Sequence, residues 1–284
     1  MKIPKRIQPL VDDGLVDEVI SRLMSGKEAD VFIVRCGQEI RCAKVYKEAV
    51  KRSFKKAAQY QEGRKMRSGR RARAVEKGSA YGRQQQEEIW QNAEVDALSR
   101  LARAGVRVPD TYFCVDGVLL MELVSDSEGD VAPQLGHVSM SKEEAIKQHT
   151  LMMHYIMLML CAGIIHGDLS EFNVLVDDKG PVIIDLPQAV NASANNSAEA
   201  MFARDVNNMR RYYSEFAPEL LNTQYAKEMW ALFEEAKLTP NSILTGEFED
   251  DSEEADVDSV LDEIQAAADE EQERLARINF SDEE

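Results

Sequence analysis

Residues 164–188 read I-I-H-G-D-L-S-E-F-N-V-L-V-D-D-K-G-P-V-I-I-D-L-P-Q. The apolar pair Ile164-Ile165 leads into a tight polar loop that holds Asp168 and Asn173. Two short apolar runs follow, Val174-Leu175-Val176 and Val182-Ile183-Ile184, separated by Asp177-Asp178-Lys179-Gly180. A polar tetrapeptide ending in glycine between two such runs predicts a β-hairpin. The hairpin returns the chain on itself, so Asp185 is expected beside Asn173.

That convergence suits phosphoryl transfer. Asn173 and Asp185 offer hard oxygens to Mg²⁺, which takes few protein ligands and completes its shell with phosphates and water. Asp168, five residues before Asn173, is placed to accept a hydrogen bond from an attacking hydroxyl. The spacing matches a kinase catalytic loop, with Asp, then Asn five on, then a metal aspartate at the end of the next strand. A surface hairpin whose acids only keep it soluble is the alternative for a lone H-G-D, and the whole constellation argues against it.

Upstream of the loop, Ser141 is expected to cap a long helix from Lys142 to Ala162, charged at first and then almost wholly apolar. It reads as the buried central helix of a second lobe, with Met152, Met153, Met157 and Met159 as core packing. Downstream, helices are expected from Ala198 to about Phe216 and over roughly Thr223–Ala236. Ala217-Pro218-Glu219 resembles the tripeptide that closes an ordinary kinase activation segment. We read it as a chance match, because the helical stretch before it leaves little chain for a substrate-docking loop.

The N-terminal half is strand-like. Residues 1–20 form an arm, with a short helix expected around Asp12–Ile20. S-R-L-M-S-G-K-E-A-D-V-F-I-V-R (21–35) gives strand, turn, strand, and Gln38–Tyr46 a third strand carrying Lys44. Lys44 sits where a nucleotide-binding lobe places the lysine that grips phosphates, although an exposed strand lysine is the plainer alternative. The turn Ser25-Gly26-Lys27-Glu28 adds backbone N–H groups, a hydroxyl and a further cation for phosphate oxygens. A helix from Gln85 to Ala104 follows, and Glu94, offset from its apolar stripe, can face Lys44. Strands Thr111–Val115 and Val118–Leu123 end at a hinge, where the backbone around Glu122 and Leu123 would meet an adenine edge.

The expected fold class is α+β: a bilobal, protein-kinase-like fold with a small β-rich N-lobe and a mainly helical C-lobe. The boundaries are 1–119 for the N-lobe with its arm and a basic insertion at 51–83, 120–124 for the hinge, 125–246 for the C-lobe and 247–284 for an acidic tail. Over 284 residues the net charge is −17, yet 51–83 holds 12 bases against two acids, and the tail 17 acids against two arginines. The basic segment, with Phe54, Tyr60 and Tyr81, suits RNA or a ribosomal particle. A solvated insertion, or one paired with the acidic tail, is the other reading. The tail carries an apolar stripe at helical spacing that would dock on the body or a partner. Four cysteines without a C-x-x-C pair, no signal peptide and no span for a bilayer imply a cytoplasmic protein away from membranes.

Taken together, S-G-K-E-A-D-V-F, C-A-K-V-Y-K, M-E-L-V…A-P-Q-L, H-G-D-L-S-E-F-N, I-D-L-P-Q and R-D-V-N-N resemble the RIO family of atypical protein kinases. The likeness is nearest to the branch without an N-terminal winged helix, and it spans about residues 15–220. The resemblance implies ATP and Mg²⁺ as cofactors. It implies Ser25, Gly26, Lys27 and Lys44 at the phosphates, Glu94 paired with Lys44, Glu122 and Leu123 at the adenine, and Asp168 as catalytic acceptor. Asn173 and Asp185 would hold metal, and Asp185 would also be the nucleophile of a phosphoaspartate intermediate. The implied activity is transfer to protein serine, including the chain's own. An ATPase-driven assembly factor of the small ribosomal subunit is the second reading, favoured by the basic loop. A small-molecule phosphotransferase is a third, against which the short S-G-K-E-A turn argues.

Overall fold

Val19, Phe32, Val34, Ala43, Val118 and Leu120 are spaced by twos along successive strands and close into one apolar face. In the computed structural model, which describes residues 3–26, 28–47 and 93–249, that face belongs to a five-stranded antiparallel sheet. Helix α1 (Gln8–Asp12) precedes it, followed by β1 (Glu18–Ser25), β2 (Ala29–Cys36) and β3 (Glu39–Tyr46). Helix α2, described over 93–103, leads to β4 (Thr111–Val115) and β5 (Val118–Glu122). The strand order is β1-β2-β3-β5-β4. Asp116 (φ 48°) and Gly117 (φ 76°) turn β4 into β5 with both residues left-handed, as a two-residue hairpin loop requires.

The arm departs from its expected form. Its helix covers Gln8–Asp12 rather than Asp12–Ile20, and the chain is already strand at Glu18. The reason is burial: Ile7 and Leu10, three apart, seat on the outer face of the sheet with Val16 and Val19, and Gly14 (φ 70°) ends the helix early. Arg6 adds a hydrogen bond from Nη1 to the Tyr46 carbonyl at 2.7 Å. The opposite face of the sheet, bearing Cys42, Lys44 and Tyr46, packs toward α2 and the cleft.

The second lobe is built on α3 (Lys142–Cys161). Ser141 accepts from the Glu144 N–H at 3.2 Å while Glu144 accepts from the Ser141 N–H at 2.8 Å, a reciprocal cap that starts the helix. Its apolar half, including Met152, Met153, Met157 and Met159, is buried in the main core. Next come β6 (Ile164–Ile165), β7 (Val174–Asp177), β8 (Gly180–Ile183) and β9 (Val190–Asn191). β7 pairs with β8 and β6 with β9, each antiparallel. Helices α4 (Ala198–Ser214) and α5 (Tyr225–Glu234) complete the lobe, and residues Pro218–Asn222 form a 3₁₀ turn between them. This is an α+β fold with a β-sheet N-terminal lobe and a helical C-terminal lobe.

The chain divides into units Met1–Glu247 and Phe248–Glu284. The tail stripe expected from Asp256 onward lies outside the described residues, as do the basic segment 51–83, Lys27 and the first part of the helix expected from Gln85. Among the described residues no helix is long and apolar enough to cross a membrane.

Because Ile7 and Leu10 are 0% and 2% exposed, the arm is part of the N-lobe core. Leu10→Ala is expected to cost about 2–4 kcal/mol in urea unfolding. Leu15→Ala, at a residue 46% exposed, should cost within about 0.5 kcal/mol. Equal effects of the two would show the arm to be decorative.

Candidate active site

β3 carries Lys44 on its cleft-facing side, opposite Val31 of β2 and Leu119 of β5. Apolar neighbours on both sides bury the lysine to 7% exposure, and burial alone works against its charge. Two carboxylates outweigh that cost. Glu94 Oε1 of α2 lies 2.6 Å from Nζ, and Asp185 Oδ1, just past β8, lies 2.7 Å away. Lys44 is therefore held charged, above the ordinary lysine range. Glu94, 2% exposed, also accepts the Tyr46 hydroxyl at 2.5 Å. Burial, and then the charge of Glu94, raise the Tyr46 hydroxyl well above its usual range, so it remains a donor. One buried carboxylate thus ties two β3 side chains to α2.

Asp185 is a different kind of residue. Its side chain is 47% exposed and its backbone is left-handed (φ 65°), a conformation that Asp tolerates better than most. Partial desolvation would raise its carboxyl, but the neighbouring Lys44 ammonium overrides this and holds it below the usual carboxylate range.

The loop 166–173 is fixed from below by α4. Asp205, 2% exposed, accepts the backbone N–H of Gly167 at 2.7 Å and that of Leu169 at 3.1 Å. Arg204 donates to the Gly167 carbonyl, and Asn208 Nδ2 to the Leu169 carbonyl at 2.9 Å. Gly167 itself has φ 81°, which suits a glycine between these two backbone contacts. His166, 1% exposed, bridges the loop to the hairpin: Nδ1 faces the Asp168 N–H at 3.3 Å and Nε2 the Ile184 carbonyl at 3.0 Å. The ring thus spans the two segments through both of its nitrogens.

Asp168 consequently projects into the cleft with an exposed carboxylate. Asn173 Nδ2 donates to the Asp168 carbonyl at 2.8 Å, which turns the amide oxygen the other way. The Asn173 carbonyl accepts from Ile184 N–H at 3.0 Å, so Asp185 emerges next to Asn173. The structure brings Lys44, Glu94 and Asp185 into one contact set and Asp168 and Asn173 into another, joined through the hairpin. An amide oxygen and a carboxylate oxygen presented together are hard donors, and among the described residues no group of three His, Cys, Asp or Glu side chains is arranged to hold a metal.

The turn expected at the phosphates and the segment expected as the hinge are more committed than the residue types suggest. Ser25 Oγ donates to Asp30 Oδ1 at 2.6 Å, Gly26 N–H to the Ala29 carbonyl at 2.9 Å, and Lys47 Nζ to the Gly26 carbonyl at 2.6 Å. The hydroxyl and the Gly26 N–H thus close the turn on itself rather than pointing into the cleft. At the hinge, Glu122 N–H donates to the Asp110 carbonyl at 2.8 Å. The Glu122 carboxylate takes a bidentate pair from Arg107, both bonds at 3.1 Å, while Arg107 also reaches Asp177 Oδ2 at 2.8 Å. Arg107 therefore fastens the hinge to the β7–β8 hairpin. His166, Arg204, Asp205 and Asn208 had no assigned role in the sequence; R-D-V-N-N was the available signal, with its first, second and fifth residues turned to one side of a helix.

A β-sheet lobe and a helical lobe, with a buried lysine–glutamate pair and a catalytic-type loop, define a protein-kinase fold. A family model described as the RIO domain matches residues 30–226. A RIO-type serine/threonine-protein kinase Rio1 of Haloferax volcanii is 33% identical over 208 residues, which is 73% of this chain and 67% of that protein. The serine/threonine-protein kinase RIO1 of Caenorhabditis elegans is 27% identical over 256 residues, 86% of this chain but 47% of its own length. That of Schizosaccharomyces pombe is 28% identical over 184 residues, 64% and 35% of the two chains. The Rio2 kinase of Chaetomium thermophilum aligns with a TM-score of 0.57 at 22% identity, covering 81% of this chain and 72% of that one. Its ADP/Mg²⁺-phosphoaspartate complex aligns at 0.54 and 23%, covering 74% and 59%. The chain belongs to the RIO domain family of serine/threonine-protein kinases, and it spans about half or less of the fungal and nematode relatives.

Two predictions follow from these contacts. Glu94→Ala leaves the Tyr46 hydroxyl without its acceptor and the buried Lys44 ammonium with Asp185 alone, and is expected to cost about 3 kcal/mol of unfolding free energy. Glu94→Gln, which keeps an acceptor but not the charge, should cost less; no loss at all in Glu94→Gln would argue against the ion pair. The second concerns Asp205, whose carboxyl burial pushes up to about 6, against the pull of His166, the loop N–H groups and Arg204. A carboxyl raised in the folded state stabilises most when protonated, and that contribution is lost as pH rises through about 6. Wild-type protein should therefore gain stability relative to Asp205→Asn on acidification from pH 6 to about 4. A pH-independent difference would contradict the buried, ionised carboxylate at neutral pH.

Proposed function

We propose that this chain uses ATP and Mg²⁺ to transfer the γ-phosphoryl group to serine on a protein, its own chain included. The observation that carries the proposal is the Lys44–Glu94–Asp185 contact set beside the Asp168–Asn173 loop. Lys44 would hold triphosphate oxygens, and Glu94 would keep it in place. Asn173 and Asp185 would hold Mg²⁺, which when bound neutralises phosphate charge and orients the transferring group. The Glu122–Leu123 backbone would meet the adenine. Ser25, Gly26 and Lys27 would cover the phosphates, and for the first two this requires the turn to release the internal bonds it makes with Asp30 and Ala29.

The residues divide the step between them. Asp168, positioned by α4 and Asn173, accepts the proton of the serine hydroxyl as its oxygen attacks the γ-phosphorus. The bond to the β–γ bridging oxygen breaks, ADP leaves, and phosphoserine forms. A second reading places nucleotide turnover in the service of small-subunit ribosome assembly: the Asp185 carboxylate attacks the γ-phosphorus, ADP leaves, and water later hydrolyses the acyl phosphate. The exposed, left-handed Asp185 favours keeping this reading, and the Rio2 kinase of C. thermophilum has a structure named as a phosphoaspartate complex. A ribosomal or RNA contact through 51–83 belongs to the same reading. We place the chain in the cytoplasm, and four free cysteines support a reducing compartment.

With labelled ATP and Mg²⁺, the purified protein should acquire acid-stable label. Asp168→Asn should reduce that label by about 10²–10⁴-fold while nucleotide binding persists. Label confined to an acid-labile form, lost in Asp185→Asn, would instead support the acyl phosphate. Full activity of Asp168→Asn would remove the proposed acceptor.

A further inference from the structure

The carboxylate of Asp168 has one side-chain partner in the structure that neither the motif spacing nor the proposed chemistry uses: Gln188, whose Nε2 lies 3.1 Å from Asp168 Oδ2. Opposite a carboxylate, the amide nitrogen is the end that faces it, because the amide oxygen would repel. A neutral amide with one hydrogen bond restrains the Asp168 rotamer through Oδ2 and leaves Oδ1 for the incoming hydroxyl.

The backbone explains how Gln188 reaches that place. It lies three positions after Asp185. Leu186 is buried, and its carbonyl accepts the Ala189 N–H at 3.1 Å, closing a turn with Pro187 and Gln188 at its centre. Pro187 fixes one dihedral of that turn. Immediately after it, β9 pairs with β6 in the register Ile165↔Val190. Extending an antiparallel register by two residues sets 167 against 188, so the ladder delivers Gln188 to the loop that holds Asp168. The same short segment touches Lys44 through Asp185 at one end and Asp168 through Gln188 at the other.

We propose that Gln188 is a positioning residue for phosphoryl transfer, which orients the Asp168 carboxylate toward the acceptor hydroxyl. The proposal rests on the role given to Asp168 above. It makes the turn after Asp185 an element that couples the phosphate side of the cleft to the acceptor side, within a chain that has no long docking loop between Asp185 and α4.

The test compares Gln188→Met and Gln188→Glu, close in size but without a donor, with Gln188→Lys, which keeps one. Each is assayed for Mg²⁺-ATP-dependent phosphorylation alongside Asp168→Asn, with nucleotide KM and thermal midpoint measured on the same full-length preparations. Gln188→Met is expected to lower kcat roughly 10-fold, with the KM for ATP unchanged within about twofold. Gln188→Glu should fall further, and Gln188→Lys should stay within about threefold of wild type. An order set by donor capacity is what a packing role would not produce. Wild-type kcat in both Met and Glu variants, with Asp168→Asn inactive, would overturn the inference and leave the acceptor role standing. Equal losses in all three variants with lowered midpoints would overturn it in favour of a structural role. An active Asp168→Asn would sink both.

Discussion

A lysine ammonium buried to 7% exposure cannot remain charged among Val31 and Leu119 unless carboxylates reach it. The two that do come from distant parts of the chain, 50 and 141 residues away in sequence. Satisfying Lys44 therefore obliges β3, α2 and the end of the β7–β8 hairpin to meet, and the meeting point is the floor of the cleft. This one cation joins the sheet lobe to the helical lobe. Glu94 is buried and shared with Tyr46, whereas Asp185 is half-exposed, so the two contacts differ in what they can give up. The first is a fixed strut. The second is the side of the lysine that opens toward solvent.

Around that contact, the loop bearing Asp168 is held by its backbone rather than its side chains. Arg204, Asp205 and Asn208 satisfy four main-chain groups of residues 167 and 169, and His166 ties the loop to Ile184. Backbone anchoring holds the Asp168 Cα and leaves its exposed carboxylate to Gln188. Arg107 plays a comparable part at the hinge, where Glu122 and Asp177 both accept from one guanidinium. A planar, always-charged donor fork suits such a joint, since it can hold two carboxylates in fixed directions. Beside these fastened elements, the turn at Ser25-Gly26 closes on Asp30 and Ala29 and on Lys47 just past β3.

Much of this was readable from residue order. The hairpin after Asn173, the Ser141 cap, the buried methionine-rich helix and the pairing of Lys44 with a glutamate on the next helix all rest on local signals. These are a polar turn between apolar runs, an S-x-x-E box, an apolar run too short for a membrane, and a stripe with one carboxylate out of phase. Such patterns survive in one dimension because strand, turn and helix periods are set within a few residues. The arm helix was misplaced for the opposite reason: its position depends on which apolar residues find the outer face of the sheet, and Ile7 and Leu10 win over the later stretch.

The sequence by itself thus determined most of the elements and their order, because each is written in local spacing. Only the tertiary structure decided which groups are spent on holding the fold. It committed the Ser25 hydroxyl and Gly26 N–H to their own turn, the Glu122 carboxylate to Arg107, and Asp205 to the loop beneath Asp168. A hydrogen bond between residues far apart in the chain depends on distance and burial, and neither quantity exists until the lobes have packed.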